Sequence, residues 1–132
     1  VSRTELQTQV AITSGVLGPL HTLTKHHLPS MRKEALWALS NITAGSEEQI
    51  DSVINAATVK SLLDAIRVEE FPIRIEAAWV LCNATRGNPE TVKFMVVAGV
   101  LEPLVSMLKA PDLRCVHGLL KALVNIFKVG AL

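Results

Sequence analysis

The sequence predicts an all-α solenoid of about three repeats, with three helices to a repeat. Three observations carry that reading: a segment that returns at a fixed offset, helix punctuation that recurs within each period, and a composition suited to an aliphatic core. The segment Lys33-Glu-Ala-Leu-Trp-Ala-Leu-Ser-Asn-Ile-Thr-Ala-Gly45 returns as Ile75-Glu-Ala-Ala-Trp-Val-Leu-Cys-Asn-Ala-Thr-Arg-Gly87, an offset of 42 residues (33 to 75). A second step of 42 carries Asn41 and Asn83 onto Asn125, and Ile42 onto Ile126. Upstream, Gly15-Val-Leu-Gly-Pro-Leu20 reads against Gly99-Val-Leu-Glu-Pro-Leu104, while Ala57-Thr-Val-Lys-Ser-Leu62 keeps the apolar positions and loses the Gly and Pro. A generic helical bundle has no need of a fixed period; a stacked repeat array does.

The punctuation supplies the helices. Ser46-Glu-Glu-Gln49 has the pattern of a capping box, and Asn88-Pro89 does the same work with Pro at the first helical position. A short first helix is expected to end near Ala57 or Gly99. A second helix is expected over 59–68 and 100–109, followed by a loop holding Pro29, Pro72 or Pro111. The third helix is expected over 32–44, 73–86 and 113–129, closed by Gly45 and Gly87 as left-handed caps. The repeats then run about 1–45, 46–87 and 88–130 of a single domain. A lone unit cannot cover its apolar face, but stacked units can, and they present a long concave surface. A mean hydropathy of +0.36 fits a piece of a longer array with two open ends.

Of the 132 residues, 49% are hydrophobic and 19% charged, which excludes a disordered chain. Tyr is absent and aromatics are 4%, so Leu, Val, Ile and Ala must build the core. The apolar run Phe94 to Leu101 falls far short of a membrane span, and no signal-peptide pattern opens the sequence at Val1. A net charge of +1, from 13 basic and 12 acidic residues, gives no basic face for direct nucleic-acid binding. Two cysteines, Cys82 and Cys115, are too few for a disulfide scaffold or a zinc cluster and fit a reducing compartment.

On the third helix, Glu34, Trp37 and Asn41 fall within about 60° of one another, and Glu76, Trp79 and Asn83 form the same stripe one repeat on. Leu36, Leu39, Ala77 and Leu81 point elsewhere, toward the core. A lone Trp is usually core and a lone Asn near a helix end usually serves its own backbone. Recurrence of the set in register favours binding. An Asn carboxamide can bond both N–H and C=O of an extended peptide. Neighbouring indoles about 8–10 Å apart make walls for the stem of Lys or Arg. The two glutamates supply the charge for its head.

These residues carry a resemblance. The segment 33–45 closely resembles the Trp–Asn motif of importin alpha (karyopherin alpha), the nuclear import adaptor, and the resemblance runs over nearly the whole chain to Asn125-Ile-Phe-Lys128. It implies an armadillo-repeat, right-handed superhelical solenoid that is not an enzyme and needs no cofactor. Because Trp is replaced by Lys121 while Asn125 remains, it implies the C-terminal part of the array, around the family's minor site for nuclear localisation signals. Trp37, Asn41, Trp79 and Asn83 would be the minor-site pairs, Glu34 and Glu76 their acidic partners, and Ser40 a neighbour of the groove. Val1 and Thr8 would close one lysine pocket. Implied partners are basic signal peptides of cargo proteins, in a protein shuttling between cytoplasm and nucleus. Importin beta and the export factor would be bound mostly through other parts of such an adaptor. Arg3, Arg74, Ile75 and Arg86 depart from the family pattern, and Arg3 and Arg86 add positive charge near a groove for cations.

Two other readings stay open. An armadillo scaffold of the adhesion or signalling kind, or a surface for export factors, nucleoporins or viral proteins, would also use this fold. The open ends could instead drive self-association. His21, His26 and His27 lack the further ligands a metal site wants and read as solvated loop residues. No phosphate loop, Ser–His–Asp set or paired-carboxylate arrangement is present in the sequence.

Overall fold

Five of the helices start where the sequence offers a capping side chain or a proline. In the computed structural model, which describes residues 3–109 and 113–130, the described residues form nine helices and no strand. They run as three triplets: α1 (Arg3–Thr13), α2 (Leu17–Leu23) and α3 (Pro29–Thr43); α4 (Glu47–Val53), α5 (Ala56–Val68) and α6 (Phe71–Ala84); α7 (Pro89–Val97), α8 (Leu101–Met107) and α9 (Leu113–Lys128). The side chains of Arg3, Leu113 and Arg114 lie outside the described set, as does Pro111.

The capping box forms as read. Ser46 Oγ accepts from Gln49 N at 3.2 Å, and Gln49 Oε1 accepts from Ser46 N at 3.1 Å. Asn88 accepts from Thr91 N at 2.9 Å and starts α7 with Pro89 in its first turn. Pro29 and Pro72 do not sit in loops as expected. They occupy the first turns of α3 and α6, where the missing N–H has no helical partner to lose.

The glycine caps are also corrected. Gly45 and Gly87 do not take positive φ; Gly15 (φ +90°) and Gly99 (φ +97°) do. They close α1 and α7 with paired bonds, Val16 N to Ala11 O (3.3 Å) with Gly15 N to Ile12 O (2.9 Å), and Val100 N to Met95 O (3.3 Å) with Gly99 N to Val96 O (3.1 Å). The middle triplet, which lost its Gly, cannot make that turn. There α4 stops at Val53, Ile54 is extended, and Asn55 accepts from Thr58 N at 2.9 Å. That is why α5 begins at Ala56, ahead of the expected position 59. Gly45 and Gly87 answer a different need, close approach. A Cβ at 45 would collide with the Gln49 carboxamide, and one at 87 would meet Ala84 O and Ile50 Cγ2 at 3.0 Å.

The core runs unbroken along the stack. Leu36, Ile50, Leu62, Leu81, Met95, Leu104 and Ile126 are fully buried, as expected for an aliphatic interior. The central helix α6 packs against α3, α5 and α9, and it buries Ile73, Ala77, Ala78, Val80, Leu81, Cys82 and Ala84. A helix apolar on nearly every side belongs inside a structure. Polar links join the triplets at their rims. Arg32 forks onto Glu69 at 2.6 and 2.9 Å and also donates to the carbonyls of His26 (2.9 Å) and His27 (3.2 Å). Its pKa is raised by the Glu69 hydrogen bond, against a smaller opposing effect of desolvation, which locks in the charge. Gln49 Nε2 reaches Glu5 O at 2.9 Å, and Asn88 and Thr91 both bond Asp51. At the two ends of the stack Leu6 and Val10 on α1, and Leu120, Val124 and Phe127 on α9, remain exposed.

His21 is not a loop residue. It lies in α2, partly buried, with Nε2 3.0 Å from Ser61 Oγ of α5. His26 and His27 stack beyond that helix at 4.4 Å. Among the described residues no group of His, Cys, Asp and Glu is placed to hold a metal ion, and no helix is long and apolar enough to cross a membrane.

The Gly45 contact gives a direct test. Gly45→Ala should cost about 1–2 kcal/mol by expelling Gln49 from the capping box. Ser46→Ala should cost about 1 kcal/mol alone and clearly less when added to Gly45→Ala, because both break one unit. Urea unfolding of the four proteins of the cycle would measure this, and additive losses would refute the shared cause.

Candidate functional site

The site is built on one row of third helices, α3, α6 and α9, packed side by side. Its rungs repeat because the helices do. With Leu36, Leu39, Ala77 and Leu81 turned into the core, the opposite stripe carries Glu34, Trp37 and Asn41 on α3 and Glu76, Trp79 and Asn83 on α6.

The two rungs differ in environment. Glu34 and Asn41 are exposed, and Trp37 is 54% exposed, a high value for the largest apolar side chain. On α6, Glu76, Trp79 and Asn83 are half-buried, and Trp79 packs against the core. The Trp79 ring lies against Gly118 of α9, with its six-membered ring filling the place a Cβ at 118 would take. Below it, a cleft of about 10 Å³ is lined by Ile75, Ala78, Trp79, Cys82, Cys115 and Leu119. The two indoles are therefore not equivalent walls: one stands in solvent and the other is seated on the next helix.

The amides have a structural duty as well. Asn83 Nδ2 donates to Ser40 O of α3 at 2.9 Å, and Asn125 Nδ2 donates to Oγ1 of Thr85, the C-cap of α6, at 3.1 Å. Arg86 donates to Thr43 O at 2.9 Å. Each bond ties a third helix, or the residues that close it, to the one before it. Asn83 keeps a second N–H and its Oδ1, so it can still bond both groups of an extended backbone. Arg86, marked as a departure, uses part of its charge to finish the end of α3.

Other expected residues fall less centrally. Ser40 is 8% exposed, and its hydroxyl turns back to Trp37 O at 2.7 Å, so what it offers is the carbonyl that Asn83 takes. Thr8 is partly buried in the middle of α1, and Val1 lies outside the described residues. Arg74 donates to Glu69 O at 2.9 Å, and its Nε is buried without an acceptor. That makes the second triplet's counterpart of Arg32 only partly satisfied.

Electrostatics join the rungs across the helices. The Glu76 pKa is raised, first by desolvation and then by Glu34, while Lys33 pulls it down. Glu76 thus sits within the field of both Lys33 and Glu34. Lys33, which the sequence reading passed over, is an exposed cation next to Glu34 whose field reaches Glu76. Gly118 was missed too, although a signal existed: 34, 76 and 118 share one 42-residue register. Cys82, beside Asn83 in sequence, is buried, and its thiol is pushed up to about 12 by desolvation and by Cys115, which makes it chemically quiet.

Similarity to known proteins agrees with this geometry. The family described as Armadillo/beta-catenin-like repeat matches residues 4–44 and 88–128. The chain is 43% identical over 109 residues to importin subunit alpha-4 of Arabidopsis thaliana, covering 82% of this chain and 20% of that protein. It is 42% identical over 71 residues to importin subunit alpha-1a of Oryza sativa subsp. japonica, covering 53% of this chain and 14% of that protein. The chain therefore spans about a fifth or less of the curated relatives it matches. Among solved structures, a designed armadillo repeat protein in complex with the peptide (KR)4 superposes with a TM-score of 0.85 at 29% identity, covering 96% of this chain and 58% of that one. Computationally designed armadillo repeat proteins for modular peptide recognition give 0.85 at 27%, covering 97% and 58%.

The shifted carboxyl makes a pH test. A Glu whose folded pKa lies above its ordinary value binds its proton more tightly folded than unfolded. Its ionisation therefore lowers stability as pH rises from about 4.5 through the folded value, and the loss is complete above both. Glu76→Gln should raise Tm at neutral pH and flatten the stability–pH slope in that window. An unchanged slope would remove Glu76 as its source.

Proposed function

This chain belongs to the armadillo/beta-catenin-like repeat family, and we propose that its row of third helices holds an extended basic peptide, as the minor site of a nuclear import adaptor does. The supporting observation is the exposed Trp37 one helical turn from Glu34, with Glu76 of the next helix in the field of Glu34 and a half-buried amide, Asn83, on the same stripe. The membership makes this a binding scaffold of non-enzymatic type. The peptide, its signal character and its cargo are our reading.

The roles follow from chemistry. The stem of a Lys or Arg lies against Trp37 and its cationic head lies over the ring and between the two carboxylates, where a cation–π contact contributes about 0.5–2 kcal/mol. Glu76 is the more responsive acid, because its partial desolvation makes an incoming cation worth more there than in open water. Asn83 bonds the peptide backbone with its free N–H and Oδ1, which holds the chain without reading its sequence. Asn41 does the same on the first rung and Asn125 on the third. Thr8, Val1 and Ser40 belong to the proposed periphery of the groove. The importin-alpha relatives support nuclear import and shuttling between cytoplasm and nucleus as the setting, with cargo proteins bearing basic signals as partners. Importin beta and the export factor would be met through other parts of such an adaptor. The repeats are taken as about 1–45, 46–87 and 88–130 of one solenoid.

Trp37→Ala should lower affinity for a lysine-rich signal peptide by about 5- to 30-fold, corresponding to about 1–2 kcal/mol. Calorimetric titration of wild type and variant decides it, with equal affinities removing Trp37 from the site. An acidic peptide that binds better than the basic one would favour an adhesion-type scaffold instead.

A further inference from the structure

Three positions share one register on the third helices: Glu34, Glu76 and Gly118. The first two put a carboxylate beside the groove. The third puts bare backbone there, and the Trp79 ring occupies the space a side chain would need. Trp79 is accordingly half-buried while Trp37 is 54% exposed, although both stand at the same place in their repeats. The next Trp position holds Lys121, exposed and cationic. Under Trp79 the cleft toward α9 measures about 10 Å³, room for one water at most and none for a lysine stem.

We propose that Gly118 is a positioning residue that ends the cation ladder: it seats Trp79 on α9, so that the principal cation slot among the described rungs is the one between Trp37 and Trp79, with none beyond Trp79. This rests on the peptide-binding reading above and deepens it. Three consequences of the Gly act together. The carboxylate that would attract a second head group is missing. The wall that would flank its stem has lain down. Lys121 then repels any cation arriving at that rung, so the occupant suited to it is a neutral or acidic residue of the same peptide. A glycine in the interior of a 16-residue helix weakens helix propensity, and here the vacancy is filled by a neighbouring ring.

The experiment has two arms. In the first, Trp37→Phe leaves Trp79 as the sole tryptophan, and Gly118→Ala is added to it. The new Cβ must displace the ring, so the emission maximum should move to longer wavelength and acrylamide quenching should rise about twofold, with helicity by circular dichroism unchanged. A folded variant with unchanged emission and quenching overturns the seating. In the second arm, unmodified protein is titrated with a four-lysine peptide flanked by Gly and Ser, and with its four single Lys→Ala versions. One lysine should dominate, its loss costing about tenfold and the others about twofold or less. Two lysines of equal weight overturn the single slot while leaving the peptide reading intact. Absence of binding to all five peptides overturns the peptide reading itself, and the slot count with it. The second arm needs no change at 118, so it decides the slot count even where Gly118→Ala fails to fold, and quenching of Trp79 in Trp37→Phe alone, weaker than that of Trp37 in Trp79→Phe, then checks the seating; equal quenching overturns it.

Discussion

Everything in this molecule depends on α6 being enclosed. It packs against α3 on one side, α9 on the other and α5 behind, which leaves a single narrow stripe open to solvent. Enclosure forces side chains of like character onto like positions, because each third helix has to fit the flank of the next. The spacing of the rungs is therefore a packing constraint first and a recognition device second. Small residues at Ala77, Ala78 and Ala84 let the neighbouring helices close in. The rim bonds, Arg32 to Glu69 above all, hold the triplets in register without entering the core.

The asparagines show how the two purposes share atoms. Asn83 uses one N–H to reach the Ser40 carbonyl, which already accepts from Ala44 N and Thr43 Oγ1 within its own turn, so the bond links α6 to α3 rather than filling a vacancy. A carboxamide has four hydrogen-bonding valences, so satisfying the neighbouring helix leaves enough for a ligand and fixes the side chain's orientation beforehand. A Ser or Asp there could not both donate to that carbonyl and keep a donor and an acceptor toward the groove in the same plane. The acids work in the same doubled way. Glu76 is partly desolvated by the stack that holds it, and this makes it responsive to a cation.

The rungs also show that a repeat is not a copy. The first stands open, with Trp37, Glu34 and Asn41 exposed. The second is half-covered by α9, and the third has exchanged acid and indole for Gly118 and Lys121. A gradient in burial and in charge thus runs along a row of helices whose backbones repeat. On the proposed peptide-binding reading, affinity in such an array follows which rungs keep all their parts.

The sequence by itself determined the architecture: the 42-residue period, the capping box at Ser46, the Asn88-Pro89 start and the inward set of Leu36, Leu39, Ala77 and Leu81 are local patterns. They needed only helix geometry to be read. It also determined the stripe, because 34, 37 and 41 meet on one face of any helix. Tertiary structure decided the rest. Which glycines turn left-handed depended on whether a first helix closes with a Schellman turn or with an extended residue, and this placed the positive φ at Gly15 and Gly99 rather than Gly45 and Gly87. That Asn83 bonds across to Ser40, that Glu76 lies in the field of Lys33 and that Trp79 rests on Gly118 are all relations between residues about 40 positions apart. Side-chain periodicity along one helix carries no information about the flank of the next. Only the packing distance between α3, α6 and α9 brings those groups together, and it made two like motifs into one open rung and one seated one.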